Sequence, residues 1–346
     1  MMKSLFTLSL LPLSVFSAWA PPGPDGKYTL TAEGVTAKFI PYAASITNLW
    51  VQDRNGTLKD IILGYDNASF YPVDPNHPDY GAVPGRYANR IANHTYAING
   101  TRYYTEANDG NGTLHSGLNG WGRRMWNVSD VTNTSITFTI RDESNSSLGM
   151  LGTVIGTVTH TLTKKAWKIN LHAVSLDVDT PIMLTSHPYW NLDSFQNPST
   201  DLILNHTLSL PFSKRIMGID PSTQCTGALP DVAAGSINDF YSKPKLLGTF
   251  ANSTEWVGNC GTGSGCSGYN NQWTIDRTAA EVGKPVASLA SDYSGIKWDM
   301  YTDQPGVVVY TCYWMGGESI SLFFSHQKTR QAMVLDLHAD DTFRWQ

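Results

Sequence analysis

The sequence predicts an all-β protein in which most strands pair antiparallel. Three runs, 135–140, 153–163 and 167–176, alternate apolar and polar residues with a period of two, which is typical of strands that bury one face. No segment shows a sustained apolar period near that of a helix, so we expect few and short helices. Without helices to connect parallel strands, antiparallel pairing should dominate.

Shorter strands are predicted on both sides of these runs, where apolar and β-branched residues cluster between turn residues. Their positions are 28–31, 35–40, 61–66, 181–185, 202–204 and 307–312. The pair Asn99-Gly100 is a hairpin signal, because both residues tolerate the positive φ of a tight two-residue turn. We expect a hairpin of 96–98 with 101–104, and an ordered loop over 69–84.

Length and composition indicate a single domain. The chain has 346 residues, 41% of them hydrophobic, with no internal repeat and no low-complexity linker, so residues 21–346 can share one core. Its net charge is −5 and no basic run is present. Nucleic acids and anionic membrane surfaces are therefore not expected as partners.

The first 20 residues have the pattern of a secretory signal peptide. Lys3 precedes an apolar stretch over 5–16, and Ala18-Trp19-Ala20 is a small-x-small cleavage site. The apolar stretch is too short to span a membrane. We expect cleavage after Ala20 and a secreted, extracellular protein.

Sequons and cysteines agree with secretion. Ten asparagines lie in N-x-S/T sequons: Asn55, Asn67, Asn93, Asn99, Asn111, Asn127, Asn133, Asn145, Asn205 and Asn252. In an oxidising compartment four cysteines could form two disulfides, in one of three pairings that the sequence does not distinguish; they are Cys225, Cys260, Cys266 and Cys312. Cys260 and Cys266 flank a loop flexible enough to join them, and their spacing is not that of a zinc site.

The segment 184–191 carries the first candidate for proton transfer. His187 follows the predicted strand over 181–185, and Pro188 biases its backbone toward an extended form. Tyr189 and Trp190 can offer flat faces to a sugar ring. An imidazole that titrates near neutral pH can exchange a proton with a polar ligand. A core histidine with both nitrogens satisfied explains the segment equally well.

Two arginines and an asparagine over 81–91 form a second candidate group. Asn89 and Arg90 together could hold neighbouring hydroxyl groups of a ligand. For Arg86 the structural alternative is stronger, because buried arginines commonly bind carboxylates or carbonyl oxygens.

A loop histidine and a late acid complete the candidate set. His115 lies in the glycine-rich stretch 111–122, where little apolar packing is available to hold it as core filler. Asp336 interrupts an apolar run and is either a paired structural carboxylate or a catalytic one. The glycine-rich stretch 261–265 lacks the strand, helix and lysine of a phosphate-binding loop, so it is interpreted as a surface loop.

Taken in order, these groups resemble the aldose 1-epimerases, also called galactose mutarotases. The segments that carry the resemblance are 85–91, 114–117 with Trp121 and Trp126, 185–192, and 304–306 with Tyr310 and Thr311. The resemblance covers nearly the whole mature chain. It implies a large antiparallel β-supersandwich with few short helices, which binds an aldohexose in an open cleft and needs neither cofactor nor metal. We expect a monomer.

The resemblance also implies a role for each candidate. His187 would be the general acid at the ring oxygen, and His115 would bind the same end of the sugar. Asp336 would be the general base at the C1 hydroxyl, and Asn89 with Arg90 would hold other hydroxyls. Further sugar contacts are expected from Asn270, Tyr189 and Gln304.

Three positions differ from the family pattern. Asp336 stands where the family has glutamate, Asn270 where it usually has aspartate, and Val308 where a glutamine is common. The shorter aspartate reaches ~1 Å less far, and a misplacement of that size can cost on the order of 10²-fold in rate. A noncatalytic sugar-binding protein is therefore an alternative. A glycoside hydrolase or lyase would need a second acid or another base beside His187, and none is evident.

Overall fold

The computed structural model describes residues 21–144, 148–261, 266–278, 281–312, 333–336 and 341–345, with only the backbone of 333–336 and 341. The predicted signal peptide, the sequon at Asn145 and four of the five residues of the 261–265 loop lie outside this part of the chain.

Strands dominate the described residues, which confirms the predicted all-β class. In chain order the strands are β1 Tyr28–Ala32, β2 Val35–Ile40, β3 Ser45–Gln52, β4 Leu58–Asp60, β5 Arg90–Ile91, β6 Thr95–Ile98, β7 Thr101–Tyr104, β8 Thr113–Leu114, β9 Asn127–Val131, β10 Ser135–Asp142, β11 Val154–Thr163, β12 Ala166–Ser175, β13 Tyr189–Trp190, β14 His206–Ser209, β15 Lys245–Leu246, β16 Asn270–Thr274, β17 Ala287–Ser291, β18 Lys297–Tyr301, β19 Gly306–Tyr310, β20 Met333–Asp336 and β21 Asp341–Trp345. The helices described are short 3-10 turns at Ala68–Phe70, Ala92–His94, Trp121–Arg123, Ile203–Asn205, Leu247–Phe250 and Thr254–Trp256.

Three larger sheets and two ribbons organise these strands. The largest sheet has the order β15-β14-β17-β18-β21-β12-β11-β10-β9, and the four-stranded sheets have the orders β1-β2-β3-β4 and β13-β20-β19-β16. Strands β5 with β8, and β6 with β7, form ribbons. Every ladder between described strands is antiparallel, as expected.

One hydrophobic core draws side chains from all three larger sheets. Phe39, Trp167 and Trp273 come from different sheets and are each fully buried in the same cluster. Trp167 stacks on Phe343 with ring centroids 5.1 Å apart. Each large aromatic removes ~150–250 Å² from water, so this layer supplies much of the hydrophobic stabilisation.

Three short strand predictions are wrong. The segments 61–66 and 181–185 form no regular strand. Isolated bridges at Ile62 and Met183, together with single backbone hydrogen bonds, tie them to neighbouring segments. The segment 202–204 enters a 3-10 turn, and strand β14 begins at His206. Apolar residues bury equally well in an extended loop, so a short apolar run does not establish a ladder. The predicted hairpin at Asn99-Gly100 is confirmed as β6 and β7.

One disulfide joins Cys260 to Cys266. Cys225 and Cys312 are not joined to each other or to another described cysteine. Of the described sequon asparagines, those with exposed side chains are Asn55, Asn93, Asn99, Asn111, Asn127, Asn133 and Asn252. No helix among the described residues is long and apolar enough to cross a membrane.

Candidate active site

Two histidines predicted from separate motifs meet in the structure. The rings of His115 and His187 stand nearly perpendicular, at 84°, with centroids 5.6 Å apart. His187 is buried, with 7% of its surface exposed, whereas His115 is half-buried. The two imidazoles therefore form one group at the border between core and solvent.

Two extended segments, 82–88 and 183–187, run side by side and hold His187 in place. The N–H of His187 donates to the carbonyl of Ala82 at 2.9 Å, and the N–H of Gly81 donates to the carbonyl of His187 at 3.0 Å. Both backbone groups of His187 are thus satisfied, which fixes the origin of its side chain.

A reciprocal pair of hydrogen bonds positions His115 against Asn89. The N–H of His115 donates to the Asn89 carbonyl at 2.9 Å, and the N–H of Asn89 donates to Nδ1 of His115 at 3.2 Å. Because Nδ1 accepts, the proton of the neutral ring belongs on Nε2. His115 and Ser116 both have left-handed backbones, with φ of 49° and 66°. Such conformations cost ~1–3 kcal/mol each and persist where surrounding contacts impose them, often at functional sites.

Asn89 also begins a polar network that sequence reasoning only partly found. Its side-chain amide donates to Oε1 of Gln272 at 3.1 Å, and its Oδ1 accepts from Nη1 of Arg90 at 3.5 Å. Nε of Arg90 donates to Asp109 at 2.7 Å. Gln272 and Asp109 were not predicted as site residues. One signal for Gln272 was present in the sequence: side chains two residues apart on a strand point to the same face, so Gln272 shares a face of β16 with the expected Asn270.

The network reaches strand β20 through one row of backbone positions. Val308 of β19 is paired with Gln272 of β16 on one side and with position 336 of β20 on the other. Neighbouring strands lie about 4.8 Å apart, so position 336 is two strands from Gln272.

The register of β20 also relates positions 336 and 187. Tyr189 of β13 pairs with Val334 of β20. In an antiparallel ladder, partner numbers change in opposite directions, so this register, if extended two residues past the end of β13, would set position 187 opposite position 336. We therefore expect the predicted acid and the predicted base at neighbouring backbone positions.

Burial changes the titration of His187. Removal from water lowers its pKa from 6.5 to about 4. The ring is therefore neutral at pH 7. The expectation that His187 titrates near neutral pH is wrong, because the burial of the ring was not visible in the sequence.

Tyr189 and Trp190 do not offer faces to a ligand, so that prediction is wrong. They are 2% and 0% exposed. The hydroxyl of Tyr189 donates to the carbonyl of Pro78 at 2.6 Å, and its ring lies 5.0 Å from that of His187. Tyr189 is therefore a packing residue behind His187, and Trp190 belongs to the core.

The two remaining predicted sugar contacts, Asn270 and Gln304, lie at the start of β16 and in the turn before β19. Asn270 begins β16 and is half-buried, one alternation before Gln272. The side-chain amide of Gln304 donates to Asp303 at 2.6 Å, in the turn before β19. It precedes Val308 by four residues, or ~13 Å along an extended chain.

Arg86 has the structural role that was favoured for it. Its side chain is fully buried and forms an ion pair with Asp142, 3.3 Å from Nη1 to the carboxylate. Its Nη2 also donates to Thr180 at 2.6 Å. No group of three or more metal-binding side chains occurs in the described part of the chain.

Comparison with known proteins agrees with this geometry. Residues 26–340 match the model of the family described as aldose 1-epimerase. The chain belongs to the aldose 1-epimerase family. The enzymes of this family are isomerases, and the predicted family and enzyme class are confirmed.

Relatives of this aldose 1-epimerase family member extend over most of its length. A probable aldose 1-epimerase of Arthroderma benhamiae is 35% identical over 82% of this chain and 68% of its own. A galactose mutarotase of Sus scrofa is 28% identical over 84% of this chain and 78% of its own.

Solved structures show the same fold. A galactose mutarotase/aldose epimerase homologue from C. elegans has a TM-score of 0.78 at 23% identity, covering 93% of this chain and 98% of its own. A galactose 1-epimerase from Lactobacillus acidophilus has a TM-score of 0.71 at 17% identity, covering 92% and 94%. At these identities the likeness concerns the fold alone.

Proposed function

We propose that the protein interconverts the α and β anomers of aldohexoses such as glucose or galactose. The observation that carries the proposal is the perpendicular pair His115 and His187, beside the Asn89–Arg90 network. The relatives named galactose mutarotase support a hexose as substrate.

The reaction requires two proton transfers that balance. Asp336 removes the proton of the C1 hydroxyl while His187 gives a proton to the ring oxygen, and the bond between C1 and that oxygen breaks. The resulting aldehyde turns about the C1–C2 bond. Closure on its other face returns both protons and gives the other anomer. No redox change occurs, so a carboxylate and an imidazole suffice.

The buried imidazole needs a compensating charge to carry that proton. Burial lowers the pKa of His187 to about 4. A nearby carboxylate favours the imidazolium form, and we expect Asp336 to supply it, because the register of β20, extended past the end of β13, leads to position 187. Nε2–H of His115 and the guanidinium of Arg90 would hold the ring-oxygen end and the far hydroxyls.

Secretion belongs to the proposal as well. The signal-peptide pattern at 1–20 and the exposed sequon asparagines support an extracellular, glycosylated protein. We expect one domain over 21–346, acting as a monomer without a cofactor. Secretion predicts that the N-terminal sequence of the extracellular protein begins at Pro21. Glycosylation predicts that the mass decreases when N-glycans are removed enzymatically.

A noncatalytic sugar-binding protein is the second candidate. It is favoured by the aspartate at 336 and the amide at 270, where the family pattern has glutamate and aspartate. Asn270 keeps hydrogen bonding but loses a charge.

Polarimetry of freshly dissolved α-glucose and α-galactose separates the two candidates. The epimerase should speed the change in rotation above the buffer rate, and His187→Ala should remove the acceleration. Hexose binding in calorimetry without acceleration would identify the noncatalytic alternative. An absence of both effects would reject both.

A further inference from the structure

The arginine of the candidate site is paired with a carboxylate that the sequence did not predict. Nε of Arg90 donates to Oδ2 of Asp109 at 2.7 Å, and the two side chains are 15% and 30% exposed. Among the carboxylates whose side chains the structure describes, Asp109 alone lies within hydrogen-bonding distance of this guanidinium. Because both groups are partly shielded from water, their charges interact more strongly than those of an exposed pair. Together they present no net charge to a ligand.

A closed turn brings Asp109 to Arg90. Asp109 and Gly112 exchange two backbone hydrogen bonds, of 3.1 and 2.9 Å, that close the turn. Just before it, the side chain of Asn108 bonds to the N–H and the carbonyl of Leu114, at 2.8 and 3.0 Å. Leu114 is the strand partner of Arg90 between β8 and β5. The carboxylate is therefore held one strand away from the arginine.

A distant segment supports the same turn from outside. The side chain of Gln224, 6% exposed, packs so closely on Gly112 that a Cβ there would lie 2.1 Å from its Oε1. The next residue, Cys225, is close enough to Arg90 for their charges to interact. Burial raises the pKa of its thiol, so the thiol is neutral at pH 7 and leaves the charge of Arg90 to Asp109.

This pairing decides what Arg90 offers to a sugar. Its Nε is occupied by Asp109, while its Nη1 lies 3.5 Å from Oδ1 of Asn89, on the side of the histidine pair. A hydroxyl group needs only an oriented donor, which the fixed guanidinium supplies. An anionic group gains most from a free positive charge, and here it would also meet the negative charge of Asp109. Such like-charge contacts reject one ligand while they leave a neutral one unaffected.

We propose that Asp109 determines specificity for neutral hexoses by neutralising Arg90, so that hexoses with an anionic group near this arginine are rejected. Asp109 is a positioning residue, because it acts through Arg90 and takes no part in proton transfer. The inference rests on the proposed function, in which Arg90 holds the hydroxyls far from the reacting end of the sugar. It adds to that function a substrate class, neutral as opposed to anionic hexoses.

Two probes that differ from glucose at O3 test the proposal, because C3 lies across the pyranose from the ring oxygen. Glucose 3-sulfate carries a permanent negative charge there, and 3-O-methylglucose is its neutral counterpart. Each is added at anomeric equilibrium as an inhibitor of α-glucose mutarotation, so that only glucose changes the optical rotation. In the wild type, Ki for the sulfate should be about tenfold or more above Ki for the methyl ether.

The decisive variant is Asp109→Asn, which keeps an acceptor for Nε of Arg90 and removes the negative charge. It should lower Ki for the sulfate about tenfold, a change of about 1.4 kcal/mol, and leave Ki for 3-O-methylglucose and KM for glucose nearly unchanged. Added NaCl should reduce the gain, because salt screens charges. Peptide mass spectrometry confirms that the amide before Gly110 has not deamidated to an acid.

Two further variants separate the charge of Asp109 from general effects of substitution. Asp109→Glu keeps the negative charge and should keep the weak binding of the sulfate. Asp130→Asn, on the exposed edge strand β9, removes a distant carboxylate and should change neither Ki. An unchanged ratio of the two Ki values in Asp109→Asn, or equal Ki values in the wild type, would overturn the proposal and leave the proposed function intact.

If the wild type does not speed the mutarotation of glucose, the proposed function fails, and calorimetry with the same two probes decides about Asp109. Tighter binding of the sulfate by Asp109→Asn than by the wild type, with equal binding of 3-O-methylglucose by both, would still support its role. Any other result, including no binding of either probe, would overturn it.

Discussion

The neutral state of His187 has a measurable consequence for stability in acid. Burial lowers the pKa of the folded-state ring from 6.5 to about 4. As the pH falls below 6.5, the unfolded chain takes up a proton that the folded protein refuses. The free energy of unfolding therefore decreases with decreasing pH, and His187 contributes to this loss until the pH reaches about 4.

The size of the effect follows from the two pKa values. One proton corresponds to ~1.36 kcal/mol per pH unit, so His187 alone removes about 2 kcal/mol at pH 5 and about 3 kcal/mol at pH 4. The buried His160 also has a pKa lowered to about 4. Between pH 6.5 and 4 the free energy of unfolding of the wild type should therefore fall by more than His187 alone accounts for.

Urea unfolding between pH 7 and 4.5 measures the effect. His187→Gln should remove a slope of about 1.2 kcal/mol per pH unit between pH 6 and 4.5. Asn170→Gln, on the exposed side of β12, changes no titrating group and should leave the slope unchanged. An unchanged slope in His187→Gln would show that the folded protein takes up this proton as readily as the unfolded chain, and the reasoning from burial would be refuted.

Other parts of the structure give further predictions. Asp142→Asn leaves the buried guanidinium of Arg86 without its counter-charge and should cost about 3 kcal/mol or more in urea unfolding, whereas loss of under 1 kcal/mol would contradict the structural role. Gln272→Leu removes the acceptor of the Asn89 amide and should raise KM for glucose about tenfold, while Gln272→Glu keeps the acceptor and should not. Cys260→Ser opens the disulfide loop and should lower the free energy of unfolding by about 2 kcal/mol without altering KM.

The sequence predicted the long strands, and it drew attention to several polar residues that the structure brings together. Strands β10, β11 and β12 alternate cleanly because one face of their sheet is buried. Asn89 and Arg90 were predicted as a pair that could hold neighbouring hydroxyl groups, and His115 as a loop histidine with little apolar packing around it. The structure adds the reciprocal hydrogen bonds between Asn89 and His115 that unite them.

The sequence did not reveal which aromatic side chains are buried. Tyr189 and Trp190 follow His187 directly, and neighbouring residues of a strand point to opposite faces. Here both faces are covered, Tyr189 by the tyrosine cluster that includes Tyr80 and Trp190 by the main core. The same burial lowers the pKa of His187, so a property of distant packing decides its protonation.

Gln272 could not be assigned because its role depends on pairing between distant segments. It lies 183 residues after Asn89, and only the fold brings their amides together. Gln304 belongs to a family motif but lies four residues from the row that crosses Val308. The family motif pointed to strand β19. Only the pairing of β19 with its neighbours shows that Val308 is the residue of this strand beside Gln272.

The most direct test of the account is the rate of α-glucose mutarotation in Asp336→Asn and Asp336→Glu beside the wild type. If a carboxylate opposite His187 removes the C1 hydroxyl proton, the asparagine variant should fall to the buffer rate, and the glutamate variant should equal or exceed the wild type. Wild-type acceleration by Asp336→Asn would show that another group is the base, and the pairing of positions 187 and 336 would lose its catalytic meaning.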